Sequence, residues 1–232
     1  MEKEHRISIF FSGNGSTAEA VADACHQKKF PNTEVVCAIT NNPKAPGINK
    51  LKRFEIPVSV LEKSSDFDQQ IIQIVSMYRS NTCLLLGYLQ KISPRIINFF
   101  DKNIYNQHPA PPSEFGGLGM YGIRVFEAIK RYYTFTGETK PYNFIVAQRV
   151  DKDYDQGAVV KYQRVNFSPD LNSLEIQQLT LPQEHQLILS LIKDIDGDNV
   201  QEVSVPKIVK PEHQNLLEQI KQSVIQEMSQ KK

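Results

Sequence analysis

Short apolar runs alternate with helix-like stretches along the first half of this chain, and that alternation constrains the fold more than any single motif. "ISIFF" (7–11), "EVVCAI" (34–39), "IPVSVL" (56–61) and "TCLLLGYL" (82–89) read as strands, the last apolar enough to be buried on both faces. Between them, "STAEAVADACHQK" (16–28) reads as a helix with Ser16 as candidate cap, and "SSDFDQQIIQIVSMYR" (64–79) is apolar at helical spacing. Strands alternating with helices predict parallel βαβ units, hence an α/β fold with an open, mostly parallel twisted sheet and a Rossmann-like N-terminal half. Ligands of such sheets bind beyond the carboxyl ends of the strands. The loops after residues 11, 40, 89 and 105 are therefore expected to gather around a site.

The second half continues with a helix at "MYGIRVFEAIKRYY" (120–133). Two strands follow, "YNFIVAQRV" (142–150) and "GAVVKYQRV" (157–165), joined by the acidic loop "DKDYDQ" (151–156), an expected antiparallel C-terminal extension of the sheet. A helix around 183–195, a strand at 199–205 and a final helix from about 211 complete the chain. No repeat, low-complexity tract or linker appears, so residues 1–232 are expected to form one domain, with halves at 1–105 and 106–232.

The chain has 232 residues, 40% of them hydrophobic, enough to bury a substantial core. With 27 basic against 26 acidic side chains it carries no electrostatic footprint for nucleic acid or anionic membrane. The first apolar run, Ile7 to Phe11, is too short for a signal or spanning segment. Three cysteines, Cys25, Cys37 and Cys83, lack metal-ligand spacing and fit a reducing compartment. A cytoplasmic protein without nucleic-acid or membrane partners is the expectation. The closing Lys231-Lys232 pair reads as a solvated tail.

Two stretches carry possible chemistry. "FFSGNGSTAEAV" follows a strand and opens a helix, so Ser12, Gly13, Asn14 and Gly15 can bring backbone N–H groups to an anion, with Ser16 and Thr17 at the positive helix end. It matches neither the dinucleotide fingerprint nor the Walker loop. A phosphate monoester fits a loop this short; a tight turn with a capping serine is the alternative. Further on, "IYNQHP" places Asn106 and His108 two apart at a strand end, on one face of extended chain. An amide can donate to a developing oxyanion and an imidazole can take or return a proton near neutrality, while Pro109 keeps His108 extended. The alternative is a turn histidine satisfied by backbone. In the loop "VDKDYDQGAVV", Asp155 could orient an imidazole, or the loop could simply be a solvated hairpin.

Together, "SGNGS", the N-x-H-P of Asn106, His108 and Pro109, and Asp155 to Gly157 resemble, in order, the phosphoribosylglycinamide formyltransferase family, over residues 7 to about 195. "LLLGYLQKISP" (84–94) resembles the family's folate-contacting strand and loop, "FGGLGMYG" (115–122) a loop variant of some members, and "QEH" (183–185) its substrate-contacting segment. The resemblance implies the formyltransferase fold and the transfer of a formyl group from 10-formyltetrahydrofolate to the amine of glycinamide ribonucleotide, without a metal, by a monomer or homodimer. It implies that Gly15, Ser16 and Thr17, with Gly13 and Asn14 shaping the loop, hold the substrate's phosphate, and that Glu184 binds the ribose or glycinamide end. Asn106 would donate to the formyl oxygen, His108 would stabilise the oxyanion and move the amine proton, and Asp155 would hold His108 and a water. Tyr88, Leu89, Gln90, Ile92 and Ile97 would line the folate cleft, and the 151–155 loop, with Asp151 and Tyr154, would close over the pterin.

This chain departs from the family pattern at two positions: Gln148 stands seven residues before Asp155, where members usually carry histidine, and Gln90 where arginine is common. Hydrolysis of 10-formyltetrahydrofolate and formyl transfer to a nucleotide-linked amino sugar are alternative activities for the same residues. A phosphate-metabolite binding protein that lost turnover is the non-enzymatic alternative. In the closing segment, Leu216, Leu217, Ile220, Val224 and Met228 share one helical face, which packs on the domain or forms a dimer contact.

Overall fold

Thr82, Cys83, Leu84 and Leu85 are all buried, as a strand must be when it has neighbours on both edges and helices on both faces. Around it the computed structural model, which describes residues 4–153 and 155–230, builds one continuous sheet. Tyr154 and the Lys231-Lys232 pair lie outside the described residues. The first half comprises β1 (His5–Phe11), α1 (Ser16–His26), β2 (Thr33–Thr40), α2 (Gly47–Lys52), β3 (Val58–Val60), α3 (Phe67–Met77), β4 (Thr82–Leu85), α4 (Pro94–Phe100) and β5 (Ile104–His108). The second comprises α5 (Pro112–Phe115), α6 (Ile123–Thr136), β6 (Tyr142–Arg149), β7 (Val159–Asn166), α7 (Ser173–Asp196) and α8 (Gln214–Ser229).

The strand order is β3-β2-β1-β4-β5-β6-β7. β1 to β5 pair in parallel, while β6 and β7 run antiparallel. The α/β class and the antiparallel extension expected from the strand–helix pattern are both present. Alternate residues of β1 face opposite layers: Ile7, Ile9 and Phe11 pack with Ala18, Val21, Leu187 and Leu191 of α1 and α7, whereas Phe10 packs with Ile71, Val75 and Ile96 of α3 and α4. A third cluster joins α6 and α8 around Phe126, Ile129, Leu217 and Val224. The apolar face of the last helix thus packs on the domain. Among the aromatics before the Asn106 junction, Phe100 and Tyr105 are core, but Phe99 is exposed.

Several boundaries differ from the sequence expectation. α1 is capped by Gly15 at φ 65° with no side-chain cap bond, so Ser16 is its first residue rather than its cap. β4 stops at Leu85 because the chain turns through Gly87 at φ 73°. α7 begins ten residues earlier than expected: Asn172 Oδ1 accepts from the Leu174 and Glu175 N–H groups and Glu175 returns a bond to the Asn172 N–H. Pro182 lies inside that helix rather than at its start. Residues 199–205 form no strand; one backbone bond, Val203 N–H to Val159 O at 2.8 Å, holds them beside β7. Their three valines, Val200, Val203 and Val205, look strand-like, but most of the segment is exposed and has no ladder to join.

Candidate active site

The carboxyl ends of β1, β2 and β4 are tied together by one side chain. Ser12 N–H donates to Gly87 O (3.1 Å), Ser12 Oγ–H donates to Asn41 Oδ1 (2.5 Å), and Leu89 N–H donates to Ser12 Oγ (2.9 Å). Asn42 Nδ2 closes the set on Ser12 O at 3.1 Å. Ser12 therefore holds the glycine loop in register with the loop after β4, a role invisible in the sequence because every partner is distant along the chain. Gly13 and Asn14 are exposed, and Thr17 is buried at the start of α1. Gly15 presses against α2: a Cβ added there would lie 2.8 Å from Gly47 Cα, and its φ is left-handed.

β5 carries Asn106, Gln107 and His108 between two partners. Asn106 pairs with Leu85 of β4 and with Gln148 of β6, directly opposite and on the same face. His108 is 5% exposed. Its Nδ1 lies 2.8 Å from Ala110 O and 3.4 Å from Ala110 N; the shorter contact assigns the proton to Nδ1, donated to the carbonyl. Nε2 is then left with its lone pair, and it has no hydrogen-bond partner among the described residues. Asp155 Oδ2 stands 3.8 Å from it. An acceptor nitrogen and a carboxylate oxygen facing each other across a buried gap are set to share an incoming proton, after which imidazolium and carboxylate form an ion pair.

Asp155 is itself constrained. It adopts φ 56°, Gly117 N–H donates to its Oδ2 at 2.9 Å, and Gln148 Nε2 donates to its Oδ1 at 3.1 Å. The hairpin that presents it needs Gly157, where a Cβ would fall 1.7 Å from Arg149 O. Gly116 is equally closed, with Pro112 O at 2.5 Å and Asp155 Cβ at 2.9 Å from an added Cβ. Gln148 Oε1 is buried and has no partner among the described residues. The structure therefore brings Asn106, His108 and Asp155 together and inserts Gln148 between the first and the last.

On the opposite face of β5, Gln107 Nε2 donates to Glu184 Oε2 of α7 at 2.5 Å. Burial pushes the Glu184 carboxyl up to about 7, against the smaller lowering effect of that bond. Gln107 carries little mark of this contact in the sequence, being an amide in a buried strand between two more conspicuous residues. Beside it, burial and then Lys50 hold the His185 imidazole below its usual range. A cavity of about 500 Å³ opens next to this segment, between α1, the end of α2 and α7, lined by Ser16, Arg53, Phe54 and His185 among others. None of the Asn106, His108 and Asp155 side chains lines it.

The residues expected around a folate are placed differently from one another. Tyr88 is buried against Phe10, edge to face with centroids 5.5 Å apart, and Ile92 and Ile97 pack into the same cluster. Leu89 is exposed, Gln90 half-buried and Asp151 exposed; Tyr154 lies outside the described residues. Burial pushes the Cys25 and Cys37 thiols up to about 12, so neither is an activated nucleophile. Among the described residues no cluster of three or more His, Cys, Asp or Glu could hold a metal, and no helix is long and apolar enough to cross a membrane.

The family model described as formyl transferase matches residues 5–192. The chain belongs to the formyl transferase family. A curated relative, the chloroplastic phosphoribosylglycinamide formyltransferase of Arabidopsis thaliana, is 27% identical over 215 residues, covering 89% of this chain and 71% of that protein. The glycinamide ribonucleotide transformylase 1 structure from Symbiobacterium toebii shares the fold with a TM-score of 0.74 at 18% identity, over 87% of this chain and 95% of that one. A formyltetrahydrofolate deformylase structure from Pseudomonas syringae reaches 0.73 at 13% identity, over 87% of this chain and 64% of that one. Fold likeness alone therefore does not separate transfer from hydrolysis within the formyl transferase family. The site must.

Proposed function

We propose that this formyl transferase moves the formyl group of 10-formyltetrahydrofolate to the amine of glycinamide ribonucleotide. The observation that carries the reading is the His108 geometry: Nδ1 lies 2.8 Å from Ala110 O, and the buried Nε2 faces Asp155 Oδ2 at 3.8 Å with no hydrogen-bond partner among the described residues. In the proposed step the acceptor nitrogen attacks the formyl carbon and the carbonyl oxygen becomes an oxyanion. Asn106 donates to that oxyanion, an effect worth about 10²–10³ in rate for one such donor. His108 Nε2 takes the ammonium proton and delivers it to N10 as the carbon–N10 bond breaks. Asp155 stabilises the imidazolium between these transfers.

The acceptor end is read from the glycine loop and Glu184. Gly13 and Asn14 are open to solvent and Gly15 ends the loop at the head of α1, which suits a phosphate monoester. Glu184 lies where Gln107 can hold one of its oxygens. Exposed Leu89 and Asp151, with half-buried Gln90, would offer contacts to the folate, while Tyr88, Ile92 and Ile97 support that wall from inside. Hydrolysis is the second reading, because the same His108 and Asp155 pair could take a proton from an attacking water as well as from an amine.

A spectroscopic assay distinguishes them. Protein, 10-formyltetrahydrofolate and glycinamide ribonucleotide are mixed, and deformylated folate is followed. Release that requires the ribonucleotide supports transfer; release at the same rate without it supports the hydrolase; no release in any mixture supports a binding protein.

A further inference from the structure

α8 lies beyond the stretch that the family model covers, yet its end reaches the loop that holds Asp155. Arg124, near the start of α6 and only 7% exposed, is the link. Its Nη1 donates to Gly119 O at 3.1 Å and its Nη2 to Ser229 Oγ on α8 at 2.9 Å, while the guanidinium lies 4.8 Å from the Tyr121 ring centroid. Ser229 can accept because its own hydroxyl proton goes to Ile225 O at 2.7 Å. Ile225 in turn packs on Gly119, where an added Cβ would meet it at 3.2 Å. Two residues earlier in the same loop, Gly117 N–H donates to Asp155 Oδ2 at 2.9 Å.

Gly117, Gly119 and Gly122 all have positive φ, a backbone that costs conformational entropy to fix and has little preference of its own. Something outside the loop has to hold it. We propose that Arg124, clamped between Gly119 and Ser229 of α8, is a positioning residue that delivers the Gly117 N–H to Asp155, so that α8 forms part of the support of the catalytic carboxylate. The C-terminal connection is anchored to the same region: Glu114, 2% exposed, accepts from the Ile208 and Val209 N–H groups at 3.0 and 2.9 Å, fixing the approach to α8 beside α5. The proposal rests on Asp155 acting in catalysis as proposed above.

The test compares Arg124→Met, Arg124→Lys and Ser229→Ala with Glu227→Gln, which weakens the separate contact of α8 with Arg131. Misplacement at a distance from the reacting atoms can cost up to about 10²-fold, so Arg124→Met is expected to lower kcat by about tenfold or more with the ribonucleotide KM nearly unchanged. Arg124→Lys should recover part of the loss, Ser229→Ala should lose severalfold, and Glu227→Gln should match the wild type. In glycine-labelled protein the Gly117 amide should exchange faster in Arg124→Met and Ser229→Ala. In an Asp155→Asn background, Arg124→Met should add little further loss of kcat. Full additivity with Asp155→Asn, an unchanged Gly117 exchange rate, or a rise in KM at constant kcat would overturn the proposal. Gly117 exchange is read without turnover, so a wild type inactive toward the ribonucleotide would count against the proposed activity and leave this positioning test intact.

Discussion

His108 Nε2 and Asp155 Oδ2 face each other at 3.8 Å although 47 positions separate them in the chain, while His108 Nδ1 lies 2.8 Å from Ala110 O. Asp155→Asn removes the charge that stabilises the imidazolium and keeps the shape. It is expected to lower kcat by about 10²–10⁴, with both KM values close to wild type, in steady-state assays at neutral pH.

Gln148 makes the other bond to that carboxylate, 3.1 Å from its Nε2 to Oδ1. Hydrogen bonds to charged groups contribute about 1.5–3 kcal/mol, so Gln148→Leu is expected to reduce kcat by roughly tenfold to a hundredfold. The same variant should also lower the melting temperature, because Asp155 Oδ1 loses its donor, a cost only partly offset by removing the buried, unpartnered Oε1. Kinetics and thermal melts on one preparation check both halves.

Gly157 admits no side chain, since its Cβ would overlap Arg149 O at 1.7 Å. Gly157→Ala must displace the turn between β6 and β7, and overpacking of this kind costs about 1–3 kcal/mol or more. Denaturant unfolding should show that loss. Activity should fall further than stability alone accounts for, because Asp155 sits two residues away in the same turn.

Glu184 gives the chain a specific pH dependence. Burial raises its carboxyl from 4.5 to about 7, opposed in part by the Gln107 bond. A raised folded-state value means that the stabilising contribution is present below the unfolded value and is lost as pH rises through the folded one. The wild type should therefore lose up to about 3 kcal/mol of stability from this group between pH 4.5 and pH 8. Glu184→Gln should flatten that slope, as measured by urea unfolding across the same range.

The strands of the first half were legible because their apolar runs are uninterrupted and bounded by glycine, asparagine or proline. The meeting of Asn106, His108 and Asp155 was legible only as a motif order; periodicity places Asn106 and His108 on one face but says nothing of the hairpin that carries Asp155. Short helices such as α2 and α4 escaped because six or seven residues hold too few apolar periods to register. The 199–205 segment is rich in valine like a strand yet finds no ladder, since strand formation depends on a neighbour as much as on side-chain composition. Arg124 and Gln107 were invisible for another reason. Their partners, Ser229 and Glu184, lie 105 and 77 positions away, and a charge near a helix start or an amide in a strand carries no mark of what it will meet.

The most direct measurement uses carbon-13 in the formyl group of 10-formyltetrahydrofolate and follows it by NMR, with wild type and Asp155→Asn, in the presence of glycinamide ribonucleotide. The account predicts that with the wild type the label moves to the ribonucleotide as an N-formyl resonance, and that the folded variant does so slower by about two orders of magnitude or more. Label appearing as free formate at a rate indifferent to the ribonucleotide, or an equal rate for both proteins, would contradict it.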